Sequence, residues 1–254
     1  MSSDIRMNAE IKELAMWRAV NLQLVCFPVD PQIGLAANWW SNLTGIEECE
    51  STRKRMERVD DGAYQGRGLK MQIDLLRTVW ITGPLATDDT IPNFMDDVPT
   101  LGDFSVASDD FREVMHKWLT TDCPPIYRLS FAGHVLWKQE TREAAYAKLG
   151  EFLPMQIDPE ATEFLYRINR KRPSTIIVGD INCLRTWSAL KFEMQIGLLG
   201  AAASHSHVKF GTSLQFDVNT PAERTEELPR ESLCDLLDEL IDMARRIADE
   251  GDAA

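Results

Sequence analysis

The sequence predicts an α+β protein: an antiparallel sheet with helices packed on one face and an amphipathic helix near its C-terminal end. Three observations carry this. Trp17–Phe27, Leu69–Ile81, Ile126–Trp137, Leu184–Leu198 and Val208–Val218 alternate apolar and polar residues with a period of two. Phe111, Val114, Met115, Trp118 and Leu119, and then Leu233, Leu236, Leu237, Leu240, Ala244 and Ile247, follow the helical spacing. Strands and helices also mix without a βαβ rhythm, and one-sided burial is what antiparallel sheets tolerate.

Taken in order, Trp17–Phe27 is the first strand. Short helices are expected over Gln32–Leu43 and part of Ile46–Val59, although residues 1–16 and 46–60 carry no decisive pattern. Gly66-Arg67-Gly68 marks a turn or bulge before the strand pattern of Leu69–Ile81. Gly83–Ala107 holds three prolines among aspartates. It reads as a surface excursion or as the boundary between an N-terminal half, 1–100, and a C-terminal half, 101–254, of one or two domains.

Ser108 is the expected cap of the next helix, with Asp109 and Asp110 in its first turn, and Thr141 caps another that stops at Pro154. Between them, Ile126–Trp137 sets Tyr127, Leu129, Phe131, Val135 and Trp137 against Arg128, Ser130 and His134. Phe164–Asn169 reads as either strand or helix. Leu184–Leu198 and Val208–Val218 form an antiparallel hairpin. Its wet face is expected to carry Lys191, Glu193, Gln195, Lys209, Gln215 and Asp217, with Trp187 and His207 beside them. No repeat of fixed period is present.

Lys+Arg 27 against Asp+Glu 40 gives a net charge of −13, which repels nucleic acid and anionic membranes at long range. No segment approaches the roughly 20 apolar residues of a membrane helix, and the start lacks a signal-peptide pattern. Cys26, Cys49, Cys123, Cys183 and Cys234 are odd in number and widely spread, so reduced thiols and a cytoplasmic address are expected.

Several patterns suggest chemistry. His205-x-His207 in extended chain could ligate one metal ion with Glu193 across the hairpin. Arg112 and His116 lie one helical turn apart, a spacing too short for the Arg/His pair of a helical-dimer RNase. Lys191 has Ala189, not an acid, two positions before it, which departs from the nuclease order. Arg53-Lys54-Arg55 with Arg58, and Tyr166 with Arg167, Arg170, Lys171 and Arg172, are basic clusters; the second could clamp RNA or DNA. There is no G-x-S-x-G, P-loop or G-x-G-x-x-G.

The run Tyr166-Arg167-Ile168-Asn169-Arg170-Lys171-Arg172-Pro173, followed by Ile181-Asn182-Cys183-Leu184-Arg185-Thr186-Trp187-Ser188, resembles a loosely defined family of bacterial and archaeal proteins of about this length with no established activity. The resemblance implies the late hairpin and the C-terminal helix after Phe216-Asp217-Val218, and a bacterial origin. It implies no catalytic residue.

Without a converging catalytic set, the expectation is a non-enzymatic, cytoplasmic, protein-binding component of a multi-protein bacterial system, such as stress response or phage defence. It needs no cofactor. Trp187, Lys191, Glu193 and Lys209 are its expected partner-binding residues. Residues 221–254 hold 11 acidic and 4 basic residues, so a basic partner is favoured. The alternatives are a metal-dependent hydrolase or nuclease centred on His205 and His207, and an RNA or DNA binder using Arg167–Arg172.

Overall fold

A computed structural model describes residues 16–30, 33–85, 98–196 and 205–254; the side chains of 33, 193–196 and 205–207 fall outside that description. One antiparallel sheet of nine strands runs through both halves, in the order β2-β3-β4-β5-β1-β6-β9-β8-β7. The α+β class is as the sequence predicts.

In the first half, β1 (Arg18–Pro28) is central and buries Ala19, Leu22, Leu24 and Cys26. The short helix α1 (Trp39–Thr44) buries Trp39, Trp40 and Leu43. Trp40 stacks on Trp80 at 6.3 Å, and Trp118 meets Trp39 and Trp80 edge-on at 5.6 and 5.7 Å. Gly62 leaves room for this cluster, since a Cβ there would lie 3.1 Å from the Trp40 ring.

The helix expected within Ile46–Val59 is instead the hairpin of β2 (Glu50–Lys54) and β3 (Glu57–Tyr64). β2 is a wholly exposed edge strand, so it carries no apolar period by which a sequence could announce it. At the next turn Gln65 and Gly66 have φ of 50° and 77°, a type I′ geometry that leads into β4 (Arg67–Ile73). The alternation of Leu69–Ile81 is broken into β4 and β5 (Thr78–Gly83). Asp74 makes the break: its Oδ1 accepts from the Leu76 and Arg77 amides at 2.8 and 3.1 Å.

Helix α2 (Phe104–Thr121) starts before Ser108. Asp103 is the cap, accepting from the Val106 amide at 3.0 Å, while Ser108 is buried and donates back to the Phe104 carbonyl at 2.7 Å. β6 (Ile126–Gln139) pairs with β1, and α3 (Arg142–Phe152) is capped by Thr141 as expected. The ambiguous Phe164–Asn169 segment falls in β7 (Leu165–Pro173), the other edge strand.

β8 (Asp180–Ile196) and β9 (His205–Asn219) form the expected hairpin. β7 pairs only as far as Ser188 and β6 only as far as Phe210, so the hairpin runs on beyond the sheet as a two-stranded arm. Helix α4 (Leu233–Glu250) buries the predicted leucine stripe and ends at Gly251, whose φ is 70°.

A second order lies beneath this. Taken as 18–121 and 126–250, the two halves each run strand, helix, meander, helix, with four meander strands (β2–β5) in the first and three (β7–β9) in the second. The sets meet at β1 and β6 with mirrored places in the sheet, β2 being the extra strand. The repeat lies in element order, which is why no fixed sequence period reveals it. The long helices share one face of the sheet. Leu214, Phe216 and Val218 of β9 face them as expected, but β8 is inverted: Ile181, Cys183, Arg185 and Trp187 are buried, and Leu184, Thr186 and Ser188 lie on the opposite face.

Candidate binding face

The sheet face turned away from the helices is covered by no other described element. Register aligns its side chains into rows. Asn21, His134, Gln215, Thr186 and Arg167 run across β1, β6, β9, β8 and β7, and Gln23, Ala132, Asp217, Leu184 and Asn169 run beside them. All of these residues but Asn169 line a groove of about 580 Å³.

Asn21, Gln23, Thr186 and Gln215 give the groove neutral polar groups, and Asp217 joins it to a network of amides and a hydroxyl on the same face. Asp217 Oδ1 accepts from Ser130 Oγ at 2.6 Å and from Asn219 Nδ2 at 3.0 Å. Asn182 Nδ2 donates to Asn219 Oδ1, and Asn169 Nδ2 to Asn182 Oδ1, each at 3.2 Å. The chain of bonds crosses four strands, from β6 to β7. Such linked networks hold their side chains in fixed orientations.

His134 Nε2 lies 2.8 Å from Ser213 Oγ. Burial lowers the His134 pKa, which keeps the ring neutral. Ser213 is fully buried, and no described carboxylate bonds the other ring nitrogen. The pair therefore lacks both an accessible nucleophile and the group that would orient a base. It can present hydrogen-bonding atoms to a ligand.

The other end of the uncovered face differs. Val25, Val79 and Val59, with Gln72, share one row, and Arg128 lies over the Phe27 ring at 4.5 Å. Polar and apolar patches thus adjoin on one surface.

The residues expected to bind a partner are not brought together. Trp187 is 0% exposed, wedged against Phe152 at 5.2 Å and Trp17 at 5.8 Å, so its place on a wet face is corrected. The alternation of β8 was right and its parity was not, because a buried Arg185 occupies the core side. Lys191 and Lys209 are exposed on the arm, and Glu193 is paired there with Val208.

His205 and His207 pair with Ile196 and Met194, register positions of the opposite parity to Glu193; their side chains lie outside the described residues. Among the described residues no three His, Cys, Asp or Glu groups converge as a metal site.

The basic cluster on β7 is divided between the two faces. Arg167 and Lys171 lie on the uncovered side, whereas Tyr166, Arg170 and Arg172 turn to the helix side. Arg170 binds Asp252 through Nε at 3.0 Å and Nη2 at 2.6 Å, Tyr166 Oη donates to the same carboxylate at 3.0 Å, and Arg172 bonds the Ala254 main-chain oxygen. These three are engaged within the chain, a correction to the five-residue clamp. Arg112 and His116 likewise bind acids of the helices, Asp109 and Asp238.

What sequence reasoning missed is the central pair Asn21 and Gln23, with His134 opposite. Two amides alternating with Leu22 and Leu24 in an apolar strand are the signal that could have found them. No described helix is long and apolar enough to cross a membrane. A scan against family models, a search of curated proteins and a search of solved structures return no match, so the functional reading rests on the chain's own residues.

Proposed function

We propose that the chain is a non-enzymatic protein-binding component whose working surface is the uncovered sheet face. One observation carries this reading: two register-aligned rows of mostly neutral polar side chains cross five strands and line a groove. A face that is merely solvated favours long charged side chains. Short amides and hydroxyls beside valines resemble the adaptable polar contacts and apolar anchors of protein-recognition surfaces. A nucleic-acid ligand would need a row of cations, and the two rows supply Arg167 alone, in a chain of net charge −13.

The test is affinity capture from the native host, identification of the bound protein, and titration of that purified partner against wild type and Gln215→Arg. Gln215 is exposed in the middle of the groove, so the substitution spares the core. Affinity is expected to fall at least about tenfold, roughly 1.4 kcal/mol, with the thermal midpoint unchanged. Unchanged affinity, or a complex that nuclease removes, would sink the reading.

A further inference from the structure

We infer that a second groove, between α4 and the turn joining β7 to β8, is a docking site for a basic protein segment that carries an apolar anchor. It lies on the helix side of the sheet, so it stands independently of the uncovered face. The groove measures about 640 Å³, room for one or two large side chains. Its lining includes the apolar Ile176, Cys183, Met243 and Ile247.

Helix α4 gives one wall its charge. Asp235, Asp238, Glu239 and Asp242 follow one another at helical spacing along the groove. Asp238 is already bonded to His116. Glu239 accepts from Ser174 Oγ, Thr175 Oγ1 and the Thr175 amide at 2.5–2.7 Å, which pins the turn in place. Asp235 and Asp242 are exposed and have no ion-pair partner among the described residues. Three cations, Arg172, Arg185 and Arg246, share the lining; Arg172 bonds the Ala254 main-chain oxygen, and the fully buried Arg185 is paired with Asp252. Four acids face three cations in the lining, and the exposed Asp235 and Asp242 make the α4 rim acidic.

The lip supplies a second, independent sign. The pinned turn holds Ile176 at 36% and Val178 at 95% exposure. A rigid turn that presents two β-branched apolar side chains beside an apolar groove is a surface shaped to be covered. Apolar floor, apolar lip and acidic rim together fit a segment with one large aliphatic side chain flanked by Lys or Arg. The floor would set how long it stays, and the acids how fast it arrives.

The test uses the full chain, immobilised, to select from phage-displayed random peptides of about a dozen residues. Selected peptides are expected to be net positive around an aliphatic residue and to bind at least about tenfold more weakly in half-molar salt. Asp235→Lys/Asp242→Lys is expected to lose them, again by at least about tenfold. Ile176→Asp should lose them too, while Gln215→Arg on the uncovered face leaves them bound. Enrichment of no peptide, enrichment of acidic peptides, or retention by the doubly reversed variant would each overturn the inference. Loss in Gln215→Arg alone would place the peptides on the other face and overturn it as well.

Discussion

Arg185 sits at 0% exposure in a sheet otherwise packed with tryptophan and leucine, and Asp252 is what makes that tolerable. Its carboxylate takes Arg185 Nη2 at 3.0 Å together with Arg170 and Tyr166, while the Ala254 main-chain oxygen accepts from Arg185 Nη1 at 3.2 Å. Asp252→Asn leaves the guanidinium buried beside an uncharged amide, so about 3–5 kcal/mol of stability should disappear in urea titration. The hydrogen bond from Arg170, then those from Tyr166 and Arg185, lower the Asp252 pKa from 3.8 to about 2. The folded value lies below the unfolded one, so this stabilisation is complete above pH 4 and is lost as pH falls toward 2. It amounts to roughly 2 kcal/mol, and acid titration of wild type against Asp252→Asn should show the variant lacking that segment of the curve. His134 has the same sign at a higher pH, because burial lowers its pKa below 6.5. Stability should decline as pH drops below that value, and His134→Gln should flatten the decline. An unaltered slope would mean that protonation of His134 has no cost in the fold.

At the scale of elements, caps and turns show where local chemistry decides. Asp103→Ala removes the bond to the Val106 amide and should cost about 1 kcal/mol, with the loss visible in thermal melts. Ser108→Ala should not behave as a cap deletion, since Ser108 lies inside α2 and accepts from Arg245 Nε at 2.9 Å. The stripe Phe111–Leu119 was legible because its period survives wherever the helix begins, but the start was not, since both Ser108 and Asp103 are good caps by residue type. The same division holds in the sheet. β1, β6, β8 and β9 announce themselves by alternation. β2 buries nothing and stays silent, and the break at Asp74 is hidden because Leu69, Met71, Ile73, Leu75, Val79 and Ile81 keep an odd-position apolar rhythm going across it. Parity is harder than period. A one-residue shift exchanges the faces of a strand, and in β8 Leu184 and Leu190 outbid Arg185 on hydropathy alone. The candidate face was legible only in part: Gln215, Asp217 and His134 read as polar members of their own strands, but register alone aligns them with Asn21, Gln23, Thr186 and Arg167.

Across the whole molecule, the two halves are joined rather than set side by side. β1 and β6 pair along ten positions at the centre of the sheet, and the buried core is one cluster reaching from Trp17 to Ala248. Trp17, at the start of the first half, donates through Nε1 to the Ala248 carbonyl at 2.8 Å and packs against Trp137, Phe152 and Trp187 of the second. Phe111 of α2 packs on Phe131, and Phe104 on Phe216. A core shared in this way gives neither half a surface on which it could melt alone, so calorimetry should find one transition with equal calorimetric and van't Hoff enthalpies. Gly133 tests the seam directly. A Cβ there would lie 2.6 Å from the Phe216 ring, 3.0 Å from the Asn21 carbonyl and 3.0 Å from Leu22. Gly133→Val must therefore push β1 and β9 away from β6 at once, at a cost of about 1–3 kcal/mol or more. In a single cooperative unit the whole transition moves down and stays single. Two resolved transitions in the variant, with only one displaced, would show that the halves unfold separately despite their common sheet.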